Sequence, residues 1–322
     1  MLRHFTAGLL AAAALLVQLP ASAQEDGSAD IPGVMSISLE DVVKPTFGGQ
    51  AALQGAGTPN QAGLGGFLPL SVGENSVFFF DALANVNFAD YGNDSSIINT
   101  TVAGTTISTS SRLGYRWLNG DRSWMFGLNA GYDSRPLTSG DADTGVNVSN
   151  QRTAFFQQIA FNAEAVSNSW NVNAYALLPV GETEQQLNSV YQGGALDTYG
   201  LDIGYFITPV VNASVGYYYQ NGDLGQADGS GVSGRLAYEI SRDLTAGVNL
   251  SYDEAFETRV SADLKVRFGG PVTTIQRNAV QQLPVINALT SSPSHRDVRV
   301  HDCTLTFWDI LDFQWIAKLG CL

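Results

Sequence analysis

Leu113-Gly-Tyr-Arg-Trp-Leu-Asn-Gly-Asp-Arg-Ser-Trp-Met-Phe-Gly-Leu-Asn-Ala-Gly-Tyr-Asp133 is the stretch whose reading decides the fold. Successive side chains of a strand point to opposite faces, so Leu113, Tyr115 and Trp117 share one side while Arg112, Gly114 and Arg116 take the other. Asn119-Gly-Asp121 has turn chemistry. The returning run puts Trp124, Phe126, Leu128, Ala130 and Tyr132 on one face against Gly127, Asn129, Gly131 and Asp133. One side of the hairpin is apolar with aromatic ends, and the other is small, polar or charged. In a soluble sandwich the polar side meets water and the apolar side a core. In an outer-membrane barrel the apolar side meets lipid and the polar side lines a lumen.

Composition narrows the choice. The chain has 322 residues, with 34 Gly, 10% aromatic and only 14% charged residues, which favours extended structure. A formal charge of -14 without any basic patch argues against a nucleic-acid partner, because phosphate binding needs a cationic footprint. Residues 1–23 carry Arg3 and His4, then an apolar run over residues 5–17, then Ala21-Ser-Ala23, which is the pattern of a secretory signal peptide cleaved near Ala23. Residues 24–33 form a short acidic, mobile start. No later window reaches the ~18 consecutive apolar residues of a spanning helix, so the exported chain belongs in the periplasm, the outer membrane or the medium. Cys303 and Cys321 both fall in the last stretch, and the body of the protein does not depend on a disulfide.

Alternation predicts strands over residues 34–43, 64–72, 77–88, the two arms of the quoted hairpin, 155–166, 170–178, 198–207, 211–220, 232–240, 244–253 and 258–268. Residues 45–63 read as a glycine-rich connection, and Pro69 pushes its strand toward an edge or a bulge. From residue 64 onward the joins run short, long, short, long, apart from a last join around residues 254–257 that is shorter than this pattern expects. Bacterial barrels have short periplasmic turns and long outer loops. If the short joins are periplasmic, one strand must precede residue 64, and residues 34–43 are the candidate. The result is an all-β fold, a transmembrane antiparallel up-and-down barrel of about 12 strands over residues 34–268, with both ends in the periplasm.

The last strand sets Val260, Ala262, Leu264, Val266 and Phe268 against Arg259, Ser261, Asp263, Lys265 and Arg267. A lysine or arginine at mid-bilayer on the lipid face costs about 2 to 4 kcal/mol, so the charged row must point inward. The lumen-lining residues predicted on this ground are Arg112, Arg116, Asp133, Glu164, Asp202, Arg235, Asp253, Asp263, Lys265 and Arg267. The aromatic residues predicted at the lipid interface are Tyr115, Trp117, Trp124, Tyr132, Trp170, Tyr217, Tyr219 and Phe268.

Chemistry finds little support. The three histidines are His4 in the signal peptide and His295 and His301 beyond the last strand, so barrel residues alone build neither a His-based triad nor a His metal site. Asp141, Asp143 and residues 223–231 offer calcium-type oxygens without a full calcium-loop spacing and read as solvated loops. Gly204, Gly216, Gly234 and Gly247 read as relief of crowding in a closed sheet. The expectation is no catalytic residue, no metal and no cofactor, and a protein that is not an enzyme.

Leu113-Gly-Tyr-Arg-Trp117 and Trp124-Met-Phe-Gly-Leu-Asn-Ala-Gly-Tyr-Asp133 resemble the signature hairpin of the intimin/invasin, or inverse autotransporter, β-barrel. The resemblance extends through Phe78-Phe-Phe80 and Asn173-Ala-Tyr-Ala-Leu-Leu-Pro179 and covers roughly residues 64–268. It implies a twelve-stranded outer-membrane translocator placed N-terminal to a passenger. It also implies that the segment after the barrel passes back through the lumen, partly helical, to the cell surface. Residues 278–290 suit such a segment, interrupted at Pro284. The chain departs from the family in length: the 54 residues after Phe268 are too few for an immunoglobulin-like passenger of about 100, and no periplasmic peptidoglycan-binding module fits before the barrel. Residues 269–302 are read as a post-barrel linker threading the lumen. Residues 303–322, with Trp308, Phe313, Trp315 and Ile316, are an apolar tail, either a membrane or partner helix or the product of a shortened reading frame.

The expected function is therefore a barrel that translocates or displays its own C-terminal segment. The alternatives are a small porin-like channel for solutes and a soluble secreted β-sandwich binding module. The expected partners are outer-membrane lipid and the barrel-assembly machinery, which would read the last strand ending in Arg267-Phe268. A surface receptor is left open.

Overall fold

A computed structural model describes residues 37–55, 57–90, 97, 99–222, 224, 227–241, 243–270 and 283–304. The signal peptide, the mobile start and residues 305–322 of the tail lie outside the described residues. In chain order the elements are α1 (Leu39–Val42), β1 (Thr46–Leu53), β2 (Gln61–Val72), β3 (Ser76–Asn87), β4 (Thr100–Val102), β5 (Thr106–Leu118), β6 (Trp124–Ala142), β7 (Thr153–Ser167) and β8 (Trp170–Pro179). They continue with β9 (Glu184–Gln186), β10 (Tyr191–Ala195), β11 (Asp197–Thr208), β12 (Val211–Asn221), β13 (Gly229–Ser241), β14 (Leu244–Asp253) and β15 (Glu257–Gly269). After the barrel come α2 (Pro284–Asn287), a 3-10 turn (Ala288–Thr290) and β16 (Val300–Thr304).

Twelve of these strands close into an antiparallel barrel in the order β1-β2-β3-β5-β6-β7-β8-β11-β12-β13-β14-β15, with β15 returning to β1. The closing seam runs from Thr46 opposite Gly269 to Leu53 opposite Ala262. β1 is not the strand expected over residues 34–43, where the chain instead makes the single helical turn α1 with Leu39 and Val42 buried. The first strand lies inside what reads as a glycine-rich connection. Its glycines are what let it pair: a Cβ on Gly48 would stand 2.0 Å from the carbonyl oxygen of Val266 on β15. Pro69 sits at a register shift in the β2–β3 ladder, the bulge that a residue without an amide hydrogen requires.

The joins β2–β3, β5–β6, β7–β8, β11–β12 and β13–β14 are short and lie at one end. β5 and β6 are joined over residues 119–123, where Asn119 donates its amide to the Trp124 carbonyl and accepts the Trp124 amide on its side chain, both at 2.9 Å. The Asp121 carboxylate accepts the amide and hydroxyl of Ser123, which holds its pKa below the usual carboxylate value. At the opposite end the joins are longer, except for the three residues between β14 and β15, and β6 continues past Asp133 to Ala142, paired with β7 as far as Thr138 opposite Thr153. The second arm of the quoted hairpin thus continues as strand beyond the stretch read from sequence. The join over residues 180–196 holds β9 and β10, which form a small three-stranded sheet completed by β16.

The two faces of the barrel differ as the alternation requires. Leu113, Tyr115 and Leu128 are exposed, whereas Arg112, Arg116, Asn129 and Asp133 are buried. The apolar face is outside and the charged face is inside.

Candidate functional site: the barrel interior and the segment it holds

The described part of the segment after the barrel, residues 283–304, is tied to the interior along its length. It enters at the short-join end, where the Val285 amide donates to the side-chain oxygen of Asn168, in the turn between β7 and β8. Pro284 does not interrupt the helical turn. It starts it, at a position whose amide has no intrahelical partner. Arg116 then donates through Nη1 to the carbonyls of Leu289 (3.2 Å) and Ser291 (2.7 Å), while Nε and Nη2 hold the Glu164 carboxylate at 2.9 and 3.2 Å. Arg267 reaches the same stretch from β15, donating to the Thr290 carbonyl and to Asn287 Oδ1.

Farther along, Arg112 makes a two-point contact with Asp133 at 2.7 and 2.8 Å and donates to the His295 carbonyl at 3.0 Å. Gln158 and Ser110 also donate to that carboxylate. Planar guanidinium forks suit this task, because one side chain can grip a carboxylate and a backbone oxygen at once. His295 Nε2 lies 2.7 Å from Asp202, and its ring stacks on Tyr175 with centroids 3.6 Å apart. Arg296 pairs with Asp81, which also accepts the Ser292 hydroxyl at 2.9 Å. Asp297 accepts the side-chain amides of Gln54 and Gln61 at 3.0 and 2.9 Å.

Arg135 donates to the carbonyls of Gly57 and Val298, at the level where the barrel gives way to the long joins. The Arg299 guanidinium lies over the Tyr218 ring, 4.4 Å from its centroid. β16 finally pairs with β10 from Ala195 opposite Val300 to Tyr191 opposite Thr304. Residues 283–304 therefore run through the barrel from the short-join end to the long-join end. Cys303, on β16, is disulfide-bonded.

The ten charged positions expected inside divide into two groups. Arg112, Arg116, Asp133, Glu164, Asp202 and Arg267 hold the segment or hold residues that do. Arg235 pairs with Asp263 at 2.5 and 3.0 Å, and Asp253 pairs with Arg259 at 2.8 Å. Lys265 is exposed and makes no ion pair or hydrogen bond among the described residues. Of the aromatic set, Tyr115, Trp170, Tyr217, Tyr219 and Phe268 are exposed, and Trp117, Trp124 and Tyr132 are half-buried. Trp117 and Trp124 both pack against Phe126, and Trp170 meets Tyr205 edge-on at 4.9 Å, so the short-join end carries an aromatic band.

Arg135, His295, Arg296, Asp297 and Arg299 are absent from the expected set. No local pattern marks them, because their partners lie on strands far away in sequence. Among the described residues no group of three or more His, Cys, Asp or Glu side chains is arranged to hold a metal ion.

No protein-family model matches the chain, and no curated protein matches it. Solved structures do. A membrane protein from a study of in-meso crystallization is 12% identical with a TM-score of 0.57, over 80% of this chain and 99% of that one. The translocator domain of the autotransporter NalP from Neisseria meningitidis is 13% identical with a TM-score of 0.42, over 70% and 88%. The KdgM porin is 8% identical with a TM-score of 0.37, over 70% and 99%. The chain has the fold of outer-membrane β-barrels.

Proposed function

We propose that this barrel sits in the outer membrane and acts as an inverse-autotransporter-type translocator, displaying its own C-terminal end at the cell surface. The observation that carries this reading is the path of residues 283–304, gripped by Arg112 and Arg116 and ending on β10 at the long-join end. A chain that leaves β15 at one mouth and pairs beyond the other delivers whatever follows it to the far side of the membrane. The exposed apolar face of the barrel meets lipid, with Trp117, Trp124 and Trp170 at the periplasmic interface and Tyr217 and Tyr219 toward the outer one. Export begins with cleavage near Ala23, and Arg267-Phe268 at the end of β15 is the signal read by the assembly machinery.

An epitope tag placed after Leu322 tests the reading. It should be bound by antibody on intact cells whose barrel shows the heat-dependent gel shift of an inserted fold. If the tag is reached only after the cells are broken open, while the barrel is folded in the membrane, the chain does not display its end.

A further inference from the structure

The threaded segment does not fill the barrel evenly. On the wall it touches, Asp81, Arg112, Arg116 and Asp133 are no more than 1% exposed. On the other wall Arg235 is 30% and Asp263 11% exposed, and Lys265, which alternates with the outward-facing Leu264 and Phe268, is exposed. Among the described residues no hydrogen bond joins these three to residues 283–304. At the short-join end a cavity of about 250 Å³ separates Asn212, Ala237, Glu239 and Thr245 on the strands from Asn287 and Ser291 on the segment. Arg235, Asp263 and Lys265 thus border open space within the barrel, and the cavity lies on the same side, against β12 to β14.

At the long-join end the same half is shut. Tyr218 (1% exposed) donates its hydroxyl to Asp253 at 2.6 Å and accepts from Arg259 at 2.9 Å. Its ring lies between the Arg299 guanidinium and Gly231, where a Cβ would stand 2.2 Å from the ring. Arg299 also donates to the buried Gln220 at 3.2 Å, and Phe256 is covered by Arg259. Four strands, β12 to β15, and the threaded segment thus contribute to one plate.

We propose that the half of the lumen bounded by β12 to β15 is a water-filled chamber, open at the short-join mouth and sealed at the other by the Tyr218–Arg259–Arg299 plate. Removing the plate turns the inserted barrel into a pore for small hydrated ions. Arg235 and Asp263 offset each other, Arg267 lies near Glu239 and Asp243 at the mouth, and Lys265 and Arg299 add positive charge farther in, so the open pore prefers anions. The seal lets a half-filled barrel keep the membrane tight while the segment is threaded.

The test is ion current through the full-length chain reconstituted in planar bilayers under a potassium chloride gradient. Wild type should be silent, and Tyr218→Ala should give current steps with a reversal potential of the anion-selective sign. Adding Lys265→Glu should move that potential toward the cation side. Arg299→Ala, which removes the cover from the segment side and leaves the wall untouched, should conduct as well and serves if Tyr218→Ala loses the heat-dependent gel shift. A wild-type barrel that conducts as much as the variants, or folded variants as silent as wild type, overturns the seal. Current whose reversal potential ignores Lys265→Glu overturns the path. A Lys265→Cys thiol should be modified by a small membrane-impermeant reagent from the short-join side and not from the other; modification from neither side overturns the chamber. Display of the C-terminal tag is read separately, so either idea can fail alone.

Discussion

Arg116 on β5 donates at 2.7 Å to the carbonyl of Ser291, 175 residues further along the chain, with the same guanidinium fixed by Glu164 on β7. The barrel wall and the threaded segment are thus one hydrogen-bonded unit. Glu164 is mostly but not fully buried, and losing the one cation that pairs with it among the described residues should cost up to about 3 kcal/mol, the lower end of what a broken buried pair costs. Arg116→Ala should lower the temperature at which the folded band disappears in the gel-shift assay and make the segment near residue 291 accessible to protease. Arg116→Lys should recover only part of the loss, since an ammonium cannot grip the carboxylate and two carbonyls in one plane. Arg116→Ala/Glu164→Ala should be less damaged than Arg116→Ala, and a double variant that is worse would show that Glu164 is not the group left exposed to the loss.

Val215 tests the lipid-facing side. It is 69% exposed in the middle of β12, between Ile203 and Gly234. Arginine there must either lie in hydrocarbon or drag the strand, at a cost of about 2 to 4 kcal/mol. Ser233→Arg, on the inward face of the neighbouring strand, enters the wet half of the lumen and should cost little, since water screens it. Assembly yield in membranes should therefore drop for Val215→Arg and hold for Ser233→Arg. Equal yields would mean that this face does not meet lipid.

Much of this was legible in residue order, and the reason is physical. A closed antiparallel sheet between lipid and a wet interior imposes strict alternation, so Val260 to Phe268 and Arg259 to Arg267 sort themselves without any partner in view. Join length likewise gave away the strand parity. The first strand did not show. Residues 34–43 alternate too, whereas Thr46–Leu53 holds two glycines and two alanines, and its strand character comes from fitting against β15 rather than from its own pattern. Ion pairs across neighbouring strands, such as Arg112 with Asp133, follow from inward placement. Asp81 with Arg296 and Asp202 with His295 do not, because no periodicity links residues whose meeting depends on threading a tail through a closed barrel.

Gly231 and Tyr218 form a pair that a single methyl group should disturb. The ring packs flat on the glycine, and a Cβ 2.2 Å from a ring carbon forces either the ring or the strand to move. Overpacking of this kind costs about 1 to 3 kcal/mol. Gly231→Ala should lower the thermal midpoint of the folded band, and the same change in a Tyr218→Ala background should cost far less, because the ring it strikes is gone. Equal costs in both backgrounds would place the strain in the β13 backbone instead.

His301 makes the outer sheet sensitive to acid. It lies on β16, 4% exposed, with its ring edge-on to Phe256 at 5.5 Å, and Nδ1 has no hydrogen-bond partner among the described residues. Burial pushes its pKa down from 6.5 to about 4, the nearby Asp253 only partly opposing the shift. A group whose folded pKa lies below its unfolded value binds more protons when unfolded. The stability it allows is therefore complete above pH ~6.5 and declines as the pH falls toward ~4, by at most about 3 kcal/mol. Docking of β16 on β10 should loosen through that window. With histidines labelled at Cε1, the His301 resonance in detergent micelles should titrate near pH 4, and protection of the β16 amides should weaken between pH 6.5 and 4.5 once corrected for intrinsic exchange. His301→Phe should flatten that dependence. A His301 midpoint near 6.5 would mean that the ring is open to water and that β16 is not held against Phe256.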